Sequence, residues 1–222
     1  MERIKFISFD LDGTLIDPSF TTWVWEVGIP KLYAQKHRLA LSEAISVVIN
    51  EYQQIGDSSL EWYDIKYWFE RFALPGDWKS LLEEHRKRIR LYPEVKEVLE
   101  ILRKSYKLVI ISNAAREFVK MEIKETGIEE YFSHIFSATS DFKQVKKTPE
   151  LYAQICKIIK ITPSQIIHIG DHYEFDYLAP KQLGIKAYFL DRNGKKPNNN
   201  FVVKDLKNFM EIFNQPFSDQ LR

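Results

Sequence analysis

A single cysteine, Cys156, among 222 residues excludes an intrachain disulfide framework. It fits a reducing compartment, and a cytoplasmic protein is expected. Cys156 falls in an apolar helical pattern with Leu151, Ile155, Ile158 and Ile159, so it reads as a buried, inert thiol. No apolar run approaches the ~20 residues that span a bilayer, and Met1–Lys5 carries no secretory hydrophobic region. Charge of one sign is also missing. The 32 basic and 31 acidic residues leave a net +1, which points to neither nucleic acid nor an anionic membrane as partner. Internal repeats and low-complexity tracts are absent. What is present is an ordinary globular balance, 45% hydrophobic and 28% charged, able to bury a core.

Three short apolar runs each end in polar residues. Ile4–Phe9 leads into Asp10, Leu108–Ile111 into Ser112 and Asn113, and Ile166–Ile169 into Gly170 and Asp171. Runs this short and this continuous read as central strands of a parallel sheet. Helical patterns separate them over Glu94–Ser105, Arg116–Thr126 and Pro149–Lys160. Pro93, Gly127 and the Thr148-Pro149 pair act as punctuation. A further unit places a helix over Phe175–Leu183, a strand over Lys186–Leu190, a surface loop over Gly194–Asn200 and an edge strand at Phe201–Val203. This alternation predicts an α/β fold, a doubly wound parallel sheet.

Between about Ser19 and Arg90 the alternation stops. That stretch has helical patterns, no buried-strand signature and all five tryptophans: Trp23, Trp25, Trp62, Trp68 and Trp78. It reads as an inserted helical lid over residues 18–90, with residues 1–17 and 91–222 forming the α/β core. Its aromatics are expected to pack the lid's own interior; the alternative is that one or two of them line a pocket over the active site. An aromatic-rich lid could also supply a homodimer patch. Asp17 is expected to cap or hinge the lid, and His168 to be a satisfied core histidine.

Ligands of doubly wound sheets bind beyond the carboxyl ends of the strands. Here those ends carry Asp10 with Asp12, Ser112 with Asn113, and Asp171 with Asp176. Converging carboxylates repel unless a cation neutralises them, and hard oxygen donors select Mg²⁺. A cation beside hydroxyl, amide and amino donors suits phosphoryl transfer. In Asp10-Leu11-Asp12-Gly13-Thr14, Asp10 at a strand tip is placed to attack phosphorus. Asp12, turned back by the freedom of Gly13, could protonate the leaving oxygen and later accept a proton from water. Thr14 could donate to phosphoryl oxygens or brace Asp10. A calcium loop is excluded, because the glycine comes fourth and no acid stands at the twelfth place.

Asp10-Leu11-Asp12-Gly13-Thr14 resembles the first motif of the haloacid dehalogenase superfamily of phosphohydrolases. Ser112-Asn113 is similar to the second, Lys146-Lys147-Thr148-Pro149 to the third, and Gly170-Asp171 with Asp176 five residues on to the fourth. The lid resembles the helical C1 caps in place and character. The resemblance implies a Mg²⁺-dependent phosphatase that hydrolyses a small phosphomonoester through an aspartyl phosphate. Asp10 would be the nucleophile and Asp12 the general acid/base. Mg²⁺ would be held by the carboxylates of Asp10 and Asp171 and the backbone carbonyl of Asp12. Ser112 and Asn113 would bind the phosphoryl group, a lysine would offset its charge, and Asp176 would orient that lysine or support the metal from behind. Spacing to Pro149 favours Lys146, with Lys147 as the alternative. Asp12 argues against a dehalogenase or phosphonatase. A sugar phosphomutase and a non-catalytic binding protein of the same fold remain the alternatives.

Overall fold

The computed structural model describes residues 2–194 and 201–214. Its six strands are β1 (Phe6–Phe9), β2 (Lys107–Ser112), β3 (Phe132–Ser137), β4 (Ile166–Gly170), β5 (Lys186–Leu190) and β6 (Val202–Val203). They form one sheet in the order β3-β2-β1-β4-β5-β6, every pair parallel. All four residues of β1 and all five of β4 are buried. Helices covering both faces account for that, and for the unbroken apolar runs that reveal these strands in the sequence.

Side chains alternate between the two faces as the strand pleat requires. Ile7, Phe9, Leu108, Ile110, Ile167 and Ile169 pack on one side, with the helices Val95–Leu102, Arg116–Thr126 and Leu206–Asn214. Phe6, Val109, Ile111 and Ile166 pack on the other, against Leu151, Tyr152, Ile155 and Cys156 of the helix Pro149–Ile158. The Thr148 side chain caps that helix by accepting from the Leu151 amide at 3.3 Å. Gly127, in the left-handed region, ends the helix Arg116–Thr126.

Between β1 and β2 the chain is helical: Ser19–Trp23, Ile29–His37, Leu41–Ile55, Ile65–Arg71 and Trp78–His85, with short helical turns between. Trp68 is fully buried here, edge-on to Tyr52 at 4.6 Å between ring centroids. The segment leaves and rejoins the sheet at a narrow two-stranded neck. Ile16 bridges Leu91, the Asp17 amide donates to Arg90 O (2.9 Å), and the Tyr92 amide donates to Leu15 O (3.1 Å). Asp17 also caps the first helix of the insert by accepting from the Ser19 amide (2.9 Å).

Two elements differ from the sequence reading. β3 was not expected, and the segment after β4 begins as a wide π-type helical turn, Tyr173–Leu178, followed by a single turn Ala179–Gln182. Most of the anticipated Gly194–Asn200 loop lies outside the described residues. No helix among the described residues is long and apolar enough to cross a membrane.

Candidate active site

The chain runs outward from β1 to β2 and β3, then returns to β4 on the opposite side of β1. The topological switch therefore falls at the carboxyl end of β1, where Asp10 stands. The Asp10 amide donates to Ile169 O (2.9 Å), tying it to β4. Phe9 is in register with Ile110 on one side and Ile169 on the other, so the ends of β2 and β4 flank Asp10 with Ser112 and Asp171.

The turn after Asp10 depends on Gly13. Its φ of +78° is left-handed, and a Cβ there would come within 2.2 Å of Asp171 Oδ2. The bare backbone thus lies directly against the Asp171 carboxylate. Arg192, just beyond β5, clamps the same turn: Nε donates to Gly13 O (3.2 Å) and Nη2 to Thr14 O (2.7 Å). Its guanidinium also covers the Tyr92 ring at 3.6 Å and pairs with Glu94 at 2.8 Å. Gly170 serves similarly under β4, since a Cβ there would strike Asp176 Cγ at 2.3 Å.

A buried ionic chain runs behind Asp10. Lys147 Nζ donates to Asp10 Oδ1 at 2.5 Å and to Ile111 O at 3.4 Å, and it forms an ion pair with Asp176 Oδ1. Asp176 Oδ1 also meets His168 Nε2 at 3.0 Å, while its Oδ2 accepts from the His172 amide at 3.0 Å. His168 Nδ1 reaches Ser8 Oγ at 2.8 Å. Burial would discharge Lys147, but Asp10 and Asp176 hold its ammonium charged, above the usual lysine range. Burial likewise opposes ionisation of Asp176, yet Lys147 and His168 hold it well below the ordinary carboxylate range. Burial lowers the His168 pKa, which makes it a neutral imidazole. That state fits Nε2–H donating to Asp176, with the Ser8 hydroxyl shared between Nδ1 and Ile167 O, which lies 3.0 Å from its Oγ.

The lysine assignment by spacing is corrected here. Lys147 is almost wholly buried against Asp10, whereas the Lys146 ammonium sits 6.0 Å over the Phe175 ring on the outer side. Of two adjacent lysines, the irregular approach to the Pro149 helix turns the second inward.

The other carboxylates are held high. Burial, then the neighbouring Asp176 and Asp171, push Asp10 well above the ordinary range despite Lys147. Burial and Asp176 push Asp171, at the exposed rim, to about 6. Oxygens of Asp10, Asp171 and Asp176 lie within 4.8 Å of one another. Unrelieved repulsion among hard oxygen donors is what a divalent cation would remove, so the residues fit such an ion. Asp176 is already committed to Lys147, His168 and the His172 amide. Asp10 and Asp171 are therefore the side chains better placed to ligate.

Burial also raises Asp12, which accepts from Thr21 Oγ1 at 3.2 Å. Its other neighbour is Glu122, fully buried on the helix Arg116–Thr126 and missed in the sequence. Burial and then Asp12 push Glu122 well above the ordinary range, and both of its carboxyl oxygens are shielded from solvent without a hydrogen-bond partner. Nothing flags Glu122 in a sequence, because one glutamate on an amphipathic helix looks solvated. Ser112 Oγ is buried at the end of β2 and accepts from the Ala114 amide (3.0 Å). Thr14 Oγ1 and Asn113 Oδ1 are shielded from solvent without a hydrogen-bond partner. His172 is exposed; it stacks on Phe175 at 3.9 Å and accepts from the Phe175 amide, a capping role.

Residues 4–184 match the family model for haloacid dehalogenase-like hydrolases. The chain belongs to that family. Its relatives include the GMP/IMP nucleotidase YrfG of Escherichia coli K12, 25% identical over 83% of this chain and 82% of that protein. They also include the phosphoglycolate phosphatase of Vibrio vulnificus YJ016, 25% identical over 85% of this chain and 84% of that protein. The fold is similar to that of the HAD phosphatase from Thermococcus onnurineus. The two share a TM-score of 0.82 and 24% identity over 95% of this chain and 98% of that one.

Proposed function

We propose that this hydrolase is a Mg²⁺-dependent phosphatase that cleaves a small phosphomonoester through an aspartyl phosphate on Asp10. The observation that carries the reading is the placement of Asp10. It stands at the switch point with Lys147 on one oxygen and the Asp171 carboxylate close by. Relatives named as phosphatases and as a nucleotidase support the same chemistry.

In this reading an Asp10 oxygen attacks phosphorus and the ester P–O bond breaks. Asp12 gives its proton to the departing alcohol oxygen. Water then attacks phosphorus, Asp12 takes a proton from it, and the Asp10 carboxylate is regenerated with release of phosphate. Burial raises the Asp12 pKa, the direction a proton donor at this position needs, and Glu122 is buried beside it. Lys147 neutralises charge on the Asp10 side, while Asp176 and His168 fix the ammonium. Ser112 Oγ and the Thr14 hydroxyl are offered to phosphoryl oxygens. Mg²⁺, held by Asp10, Asp171 and the backbone carbonyl of Asp12, would neutralise the phosphoryl group as charge builds. Residues 18–90 act as a cap that encloses the leaving group and excludes water. Acid quenching during turnover should trap one phosphoryl group on the peptide that contains Asp10. A phosphoryl group on any other residue would overturn the assignment.

A further inference from the structure

Resting on the phosphatase reading, the cavity beside Asp12 points to the alcohol that leaves. A space of about 450 Å³ opens between the helical insert and the core, bounded at its inner end by Asp12 and Asn113. Trp25, Tyr52, Trp62 and Phe118 form much of its wall. Trp25 of the insert stacks on Phe118 of the core at 5.4 Å, which holds the Trp25 ring in place at the cavity. Tyr52 meets the edges of both Trp25 (6.1 Å) and Trp62 (6.0 Å), and its hydroxyl donates to Trp25 O (3.2 Å). The aromatic surface is thereby fixed before any ligand arrives.

The polar members are as informative as the rings. Among the described residues no lysine, arginine or histidine lines the cavity; its acidic side chains are Glu26 and Asp12, the latter the proton donor of the proposed reaction. Lys147, the cation of the site, is not among the lining residues; it is buried against Asp10 and Asp176. A leaving group bearing a carboxylate would meet the Glu26 carboxylate there and no lining cation. Glu26 and Gln53 instead offer acceptors to a ring that carries N–H groups. Asn113 Oδ1, shielded and unpartnered, adds an acceptor at the inner end. The volume falls in the range that holds ligands of many heavy atoms, and a two-carbon alcohol would leave most of it empty.

We propose that the alcohol released is a nucleoside, its base stacked on the aromatic wall, and that the substrate is a nucleoside 5′-monophosphate. The P–O bond to the 5′-oxygen breaks, that oxygen takes the Asp12 proton, and water supplies the oxygen and protons that complete phosphate and restore Asp12. Base–aromatic stacking is worth about ten- to a hundredfold in binding.

The test is kcat/KM for inosine and guanosine 5′-monophosphates against ribose 5-phosphate and 2-phosphoglycolate, in Mg²⁺, for the wild type, Trp25→Ala and Glu26→Lys. The nucleotides should exceed ribose 5-phosphate by about tenfold or more. Trp25→Ala should shrink that ratio to a few-fold. Glu26→Lys, an exposed change that the fold tolerates, should raise 2-phosphoglycolate relative to the nucleotides. Ribose 5-phosphate or 2-phosphoglycolate matching the nucleotides in the wild type would overturn the nucleoside assignment and leave the phosphatase reading intact. No Mg²⁺-dependent release from any of the four would overturn both.

Discussion

At the residue scale the site is a problem in charge. Four carboxyl groups, Asp10, Asp12, Asp171 and Asp176, converge with Glu122 on one strand edge, and a single buried lysine answers them. Lys147 touches two of these groups at once, so its removal leaves Asp10 and Asp176 uncompensated in a buried setting. Lys147→Ala should reduce turnover at least a hundredfold and cost about 3–5 kcal/mol of stability. Lys146→Ala should leave both within a few-fold of wild type, as chemical denaturation and steady-state rates would show. The reverse order would mean that Lys146 reaches the site in turnover. A second consequence concerns protons. Asp171 is pushed to about 6 and Asp10 is raised as well, both above the ordinary carboxylate value. Each holds a proton as pH falls through its raised pKa, and a cation must displace that proton to bind. Mg²⁺ affinity measured by calorimetry should therefore weaken about fivefold or more from pH 6 to pH 5 and level off towards high pH. A flat profile across that window would contradict the ligand assignment. The carboxylates and Ser112 were readable from the sequence because strands deliver them. Lys147 was named only as the alternative to Lys146, and Glu122 and Arg192 were not singled out. Which of two lysines turns inward, and which acid on a helix loses water, depends on three-dimensional packing that spacing does not encode.

At the scale of elements, buried strands announced themselves and half-buried ones did not. β1, β2, β4 and β5 stand within a residue or two of their expected ranges, since full burial on two faces demands continuous apolar runs. β3 sits at the sheet edge, with Ser133 exposed and His134 half-buried, and this polar interruption hid it. The π-type turn after β4 escaped notice for another reason: Asp176 must lie beneath Gly170 to reach Lys147, which imposes local backbone geometry that periodicity cannot register. The insert's aromatics were expected to form its own interior, with one or two lining a pocket as the alternative; the structure has buried rings and also four insert aromatics at the cavity. Trp68, Phe69 and Phe72 are buried in its interior, while Trp25 and Trp62 face the cavity. Trp68→Ala removes a fully buried indole and should cost about 3–5 kcal/mol, seen as a lowered unfolding midpoint. An unchanged midpoint would show that the insert does not unfold with the core.

At the scale of the whole molecule, the insert and the core share one apolar cluster that runs from Phe9 and Phe118 through Phe20 and Val24 to Tyr52 and Trp68. The two-stranded neck at Ile16 and Leu91 is the covalent connection between them. The result is a chemically uniform edge of the sheet facing a chemically particular roof. Reaction type is written in the strand ends, which is why four short motifs sufficed to read it. In the proposed reading substrate choice lies in the roof, whose residues come from separate helices and are brought together only when folded against Asp12 and Asn113. The central claim is that Asp10 attacks phosphorus with a divalent cation at its side. It is tested most directly by phosphate release from a nucleoside 5′-monophosphate by the wild type and Asp10→Asn, each with Mg²⁺ and with chelator. Release should require both the metal and Asp10, with the variant folded but inactive. Release by Asp10→Asn near the wild-type rate, or release indifferent to chelator, would contradict it.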